Sequence, residues 1–216
     1  MSALTRIVRD DAHHALAATL LHAFPSISWR HHGIGVLQGY LVEHTEPEVR
    51  VHVWHPDLIK PGIEANGDVH DHRFDMVSHV LIGDVVHEEW HATAEPRGDF
   101  TATLLTHARA AADSKYHGPT TPTDERYAVE TVRFVIPAGY RYSFPARAFH
   151  RSPVVDLAVT IVEKHQQRTD PARILHPASA PFVPAFGHDE DAALLVHVLE
   201  CARAALGNLW KANRCG

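Results

Sequence analysis

His70 and His72 are separated by a single residue, Asp71, and a further histidine, His150, follows in the second half of the chain. Side chains at i and i+2 of an extended strand leave the same face of a sheet, so the pair presents two imidazoles side by side. A third histidine on a facing strand completes a facial three-nitrogen site, which suits one divalent transition-metal ion with positions left open for a ligand. If 69–82 is one strand, His70, His72, Phe74 and Met76 share the inner face. Asp71, Asp75 and His79 then point the other way and are poorer ligand candidates. The chain holds 20 histidines, too many to serve one ion. His13, His14, His22, His31 and His32 read as surface residues. His87 and His91 have helical spacing, but they follow a tight turn at Gly83-Asp84 and read as solvated strand histidines.

The spacing around the three candidates resembles a known family. After His72, three residues lead to Met76 and six more to Gly83. This resembles the first cupin motif, His-x-His followed by a glutamate and a glycine, with methionine in the glutamate position. Gly139, five residues, Pro145, four residues and His150 resemble the second cupin motif. There Arg147 replaces an inner glycine and Val154 a terminal asparagine. The resemblance covers 67–154 and implies an all-β fold, the cupin double-stranded β-helix or jelly roll. It also implies His70, His72 and His150 as metal ligands. With no carboxylate in that set, a bound divalent ion keeps its full charge and favours an anionic ligand or substrate.

Within the cupins the chain resembles the three-histidine thiol dioxygenases, including cysteine dioxygenase, in the order of Val53-Trp54, Val69-His70-Asp71-His72, Val80-Leu81-Ile82-Gly83 and Glu88-Glu89. That resemblance implies mononuclear Fe(II), a small anionic chelating substrate of thiol or amino-acid type, and addition of both atoms of O2 to it. The family's late Ser-x-His-x-Tyr series is replaced by Thr160-Ile161-Val162-Glu163-Lys164, which keeps only a hydroxyl. Its carboxylate-binding arginine is not placed by spacing, so Arg50, Arg141, Arg147 and Arg151 are all candidates. Arg147 is preferred because it lies between Pro145 and His150, where the cupin backbone approaches the metal. Tyr140 and Tyr142 precede the same hairpin and are candidates to orient an oxygen ligand, with aromatic packing at the rim as the alternative. Met76 reads as a core filler, or as a thioether contact to a softer metal such as copper. Two other functions fit the same ligands. One is an oxygen-independent isomerase or lyase using Zn2+, Ni2+ or Mn2+ as a Lewis acid, and the other is a non-catalytic cupin that binds a small ligand.

Such a site needs strands to hold it, and the pattern predicts them at 35–43, 49–55, 69–82, 85–92, 100–108, 127–136, 140–144 and 157–163, with turn residues between. The stretch 110–126 has no period and reads as a loop. Asp10 or Asp11 caps an N-terminal helix carrying Ala12, Leu16, Leu20 and Phe24 and ending at Pro25. Pro171, Pro177, Pro181 and Pro184 mark an extended arm. A C-terminal helix begins near Asp189, carries the stripe Leu195, Val198, Leu199, Ala202 and Leu206, and stops at Gly207. That stripe covers the barrel or meets a second copy in a homodimer.

At 216 residues and 45% hydrophobic composition the chain suits a single domain. Its parts are a helical segment over 1–28, a barrel over 29–168, and the arm with its helix over 169–216. A net charge of −6 without a basic block argues against nucleic acid or an anionic membrane, leaving a small-molecule substrate and O2 as partners. Two cysteines, Cys201 and Cys215, do not make a disulfide framework and suit a reducing cytoplasm. No signal sequence or membrane span is expected, since no run approaches 18 apolar residues.

Overall fold

The computed structural model describes residues 4–32, 34–43, 45–59, 69–105, 120–180 and 191–214. In chain order the elements are β1 (Arg6–Arg9), α1 (His13–Ala23), β2 (Arg30–His32), β3 (Ile34–Val42), β4 (Glu48–Ile59), β5 (Asp75–Ile82), β6 (Asp84–Ala94), β7 (Phe100–Leu105), β8 (Thr120–Pro137), β9 (Tyr140–Phe144), β10 (Phe149–Arg151), β11 (Ala158–His165), β12 (Ala172–Pro177) and α2 (Ala192–Arg214). The strands form two sheets, β1-β9-β5-β11-β4-β3-β2 and β10-β6-β8-β7-β12, and every pairing is antiparallel. This is the jelly roll expected, with one helix near each end of the chain.

The larger sheet is buried on both faces. On its outer face Leu37, Val51, Val53, Leu81, Val159 and Ile161 pack against Leu20 of α1 and Val198, Ala202 and Leu206 of α2. On its inner face Met76, Val80, Tyr142, Phe144 and Val162 meet Val85 and Ile136 of the smaller sheet. Two covered faces explain why its strands read as runs such as Val80-Leu81-Ile82 rather than strict alternation. The α2 stripe therefore covers the barrel. Asp191 caps this helix, its Oδ1 accepting from the N–H groups of Ala193 at 3.0 Å and Leu194 at 3.2 Å. The helix runs past Gly207 to Arg214, correcting the expected stop. Burial of Leu206 and packing of Leu209 on the same core offset the roughly 1 kcal/mol that an interior glycine costs. Among the described residues α2 is one helix long and apolar enough to cross a membrane by length and composition alone, and its stripe packs on the larger sheet.

Helix α1 begins at His13 without a side-chain cap. Asp10 instead directs Oδ2 to His79 Nδ1 at 2.7 Å, and both groups are buried. His13 and His31 are not surface residues. Their Nε2 atoms lie 2.9 Å from the carbonyls of Leu81 and Leu58, respectively, so each satisfies a buried backbone oxygen.

Three other stretches differ from the expectation. Residues 69–82 are not one strand. His70 bridges His150 on one side and Ile174 on the other, the Asp71 N–H donates to the Arg173 carbonyl, and the Leu175 N–H donates to the Val69 carbonyl. The segment carrying His70 and His72 thus joins β10 and β12, the two edges of the smaller sheet, before the chain bends and enters the larger sheet as β5. Residues 120–126 are not loop but the start of β8. Pro122 cannot donate to the ladder, and hydroxyl bonds from Thr101 to the carbonyls of Thr123 and Glu125, and from Thr123 to that of Ala102, hold the irregular pairing. Residues 172–177 are not a free arm, because β12 pairs with β7 along its length. The loop positions 110–119 and Pro181, Pro184 and Asp189 lie outside the described residues.

Gly83 makes the turn between β5 and β6 with φ +68°, and a Cβ there would come within 2.2 Å of the Leu157 carbonyl oxygen. Gly83→Ala is expected to cost about 2 kcal/mol or more, a fall in Tm of about 5 °C. Gly139→Ala, at φ +85° with open space around the position, should cost only the backbone strain, so differential scanning calorimetry of the two variants separates clash from conformation.

Candidate metal centre

His70 and His72 project from the bridging segment and His150 from β10. One ligand nitrogen from each lies within 4.8 Å of the others, and the ring centroids are 4.6 to 4.8 Å apart. A metal–nitrogen bond of about 2.1 Å brings ligand nitrogens somewhat closer than this, a change that small side-chain rotations supply. His150 is buried, while His70 and His72 are half-buried, so the cluster is reached from their side. Burial, then the neighbouring histidines, push the His150 imidazole well below its ordinary pKa. Burial, His70, Arg50, His52 and Lys164 do the same to His72. Both rings are therefore neutral near pH 7 with lone pairs available. His150 Nδ1 is buried with no hydrogen-bond partner among the described residues. The donor set fits a divalent transition metal.

A buried ion network fixes this segment from behind. The Asp71 carboxylate accepts from the Arg173 backbone N–H and from Arg173 Nε, each at 2.7 Å, and Arg147 Nε lies 3.4 Å away. The Arg147 N–H donates to the His72 carbonyl at 2.9 Å. The Asp71 side chain is thus spent on Arg173 and Arg147, which fixes the residue between His70 and His72.

The expected substrate contacts fare differently. Arg147 has φ +70°, so the place where the motif carries glycine still needs left-handed backbone. Its guanidinium donates to the Pro171 carbonyl and faces Asp71, which commits it to holding the loop instead of substrate. Tyr142 is buried in the inner core, with its ring 5.1 Å from His87 and stacked on Phe144. Burial raises its phenol pKa against the opposing hydroxyls of Ser78 and Ser152, and it approaches the trio only through His87 and Phe144. Tyr140 is exposed on β9, opposite Arg9 of β1. The three catalytic candidates are thus not brought to the histidines. Met76 is core, packed with Phe144 and Val162.

The sequence reading missed His87. It is fully buried, with its ring 5.4 Å from that of His150. Nδ1 has no partner among the described residues, and Nε2 lies 3.2 Å from Thr5 Oγ1. Glu89, two residues on and opposite His150 in the ladder, is held by the N–H groups of Leu4 and Thr5 and the Thr5 hydroxyl. The signal was period two: once β6 is a strand, His87 and Glu89 share the face that His150 uses.

Burial lowers the His87 pKa from 6.5 to about 4, against the opposing pull of Glu89 and Glu88. Such a group takes up its proton in the unfolded chain first. Its contribution is complete above pH 6.5 and is lost as pH falls towards 4, at most about 3 kcal/mol. His72 and His150 act with the same sign. Metal-free protein is therefore expected to melt at markedly lower temperature at pH 5 than at pH 7. His87→Phe, a ring suited to packing against Phe134, Tyr142 and Phe144, should flatten that dependence, and a variant as acid-sensitive as wild type refutes the assignment.

The strand order and the paired edges at His70 define a two-sheet antiparallel jelly roll carrying a three-histidine cluster. No protein-family profile matches the chain, and no curated protein does. Solved structures do match. A DMSP lyase structure is 12% identical, with 76% of this chain and 70% of that chain covered and a TM-score of 0.40. HEPD of Streptomyces albus, solved with 2-hydroxyethylphosphonate and Fe(II), is 9% identical with coverage of 76% and 26% and a TM-score of 0.35. A cupin 2 domain-containing protein from Halorhodospira halophila is 14% identical with 96% of both chains covered and a TM-score of 0.34. Likeness at this level says nothing of activity, and the fold assignment rests on the topology above.

Proposed function

We propose that the chain is a metal-dependent oxygenase in which His70, His72 and His150 hold Fe(II) for a small anionic chelating substrate and O2. The carrying observation is the convergence of three imidazoles, with no carboxylate among them, in one partly open cluster. Bound there, Fe(II) supplies a cationic, redox-active centre for oxygen chemistry. The chain's own groups orient and shield it. Phe74 stacks on His72 at 4.5 Å and Phe144 lies 4.4 Å from His150, so apolar rings exclude water beside two of the ligands. The test is metal analysis of protein purified without added ions, then O2 consumption by the iron-loaded protein against thiols, amino acids and 2-oxo acids. Substrate-dependent uptake that survives His→Ala at all three positions overturns the reading.

One observation favours a second reading. His87 places a ring nitrogen with no partner among the described residues in the buried interior next to His150, a placement suited to moving a proton. With Zn2+, Ni2+ or Mn2+ as Lewis acid, the same site would run an isomerase or lyase. Turnover under argon that His87→Phe abolishes would select this version.

A further inference from the structure

Helix α2 carries a second ridge that the fold leaves open. Its buried stripe is turned to the larger sheet, yet only 17% of the apolar stretch Ala192–Ala212 is buried. On the far side Val196 is 55% exposed and Trp210 39%. Ala193, Glu200 and Arg203 are exposed along the same side, and Gly207 is half-buried. These six positions follow one another at intervals of three, four, three, four and three residues, the spacing of the a and d positions of a coiled coil. A Cβ on Gly207 would meet nothing within 4 Å, so no contact inside the chain asks for a glycine there, where it weakens the helix. Glu200 and Arg203 take no part in the ion pairs of the described residues.

We infer that this ridge is the interface of a homodimer, in which α2 of a second copy of the chain packs antiparallel across a two-fold axis midway between Glu200 and Arg203. Antiparallel helices set each a position opposite a d position, and a two-fold axis makes every match occur twice. One register satisfies all six positions. Glu200 faces Arg203 of the second copy, Val196 enters the notch over Gly207, and the Trp210 indole covers Ala193. Charge selects this occupant over a lipid surface, the other cover for an exposed apolar helix. Glu200 and Arg203 sit at the centre of the ridge, where a membrane would desolvate both without a partner, whereas a second copy meets each with its opposite. A helix of 23 residues is about 34 Å long, so one helix pair makes a small interface and a dimer of micromolar affinity.

Sedimentation velocity of the intact chain, from about 1 to about 500 µM, tests it. Wild type is expected to pass from monomer to dimer over that range. Glu200→Arg and Arg203→Glu each set like charges across the axis twice and should weaken the dimer by about tenfold or more. Mixing the two single variants in equal amounts restores opposite charges at both contacts and should return the dimer. Gly207→Leu fills the notch without touching its own chain, so it should weaken the dimer while raising the Tm of the monomer, a pair of opposite signs that loss of folding would not produce. Wild type that stays monomeric throughout overturns the interface. So does a dimer indifferent to the single charge reversals, or a mixture of the two variants that fails to associate. Monomeric wild type that floats with phosphatidylcholine–phosphatidylglycerol vesicles, and does so less as Trp210→Ala, gives the ridge to lipid and likewise overturns it.

Discussion

His150→Ala is expected to strip the protein of its metal. Zinc-finger peptides bind their ion with about 10–16 kcal/mol spread over four ligands, so each ligand accounts for about 3 kcal/mol and its loss weakens binding about a hundredfold or more. His70 and His72 alone leave a bidentate grip at a half-open position. Protein from iron-supplemented cells should carry close to one metal per chain as wild type and a small fraction of that as His150→Ala, read by plasma mass spectrometry. Removing buried His150 also leaves a hole beside Phe144. His70→Ala and His72→Ala, at half-buried positions, therefore serve as companions with little packing cost, and all three variants should lose metal while retaining their circular dichroism. Metal at wild-type stoichiometry in any folded variant would remove that residue from the set.

The clustering of the three histidines was legible because a His-x-His pair on extended backbone fixes two directions at once, and the spacing to Gly83 and from Gly139 to His150 set the remainder. The outer-face assignment of Asp71 and His79 followed from the same alternation. What alternation does not carry is which sheet a strand joins. Residues 69–82 keep their facing pattern through the bend at Arg73 and Phe74, so the passage from the edges of one sheet into the other leaves no mark in the sequence. His87 was missed for a related reason. A histidine is buried or solvated according to its partners, and Thr5 and Glu89 come together only because β1, at the far end of the chain, pairs with β9. Arg147 shows the opposite case. Its presence where the motif has glycine looked like a functional gain, whereas the backbone there keeps its left-handed turn and the side chain is consumed in holding it.

Asp71→Ala is expected to destabilise the fold and loosen the metal together, although Asp71 touches no metal. Its carboxylate is wholly buried and is the ion-pair acceptor of Arg173 and Arg147. Breaking such a pair from one side leaves uncompensated charge and costs about 3–5 kcal/mol, a fall in Tm of about 10 °C for a chain of this size. The backbone follows, because Arg173 and Asp71 are joined both through the carboxylate and through the Asp71 N–H to the Arg173 carbonyl. Without it, the segment that carries His70 and His72 loses one of the two edges that set its register. Metal affinity should therefore drop in Asp71→Ala even at temperatures where the protein is fully folded. A double variant, Asp71→Leu/Arg173→Met, removes both charges and fills the space with apolar atoms, an exchange that is often neutral for stability. Recovery of Tm without recovery of metal affinity would show that the ion pair positions the ligands in addition to holding the barrel closed. Recovery of both would assign Asp71 to stability alone.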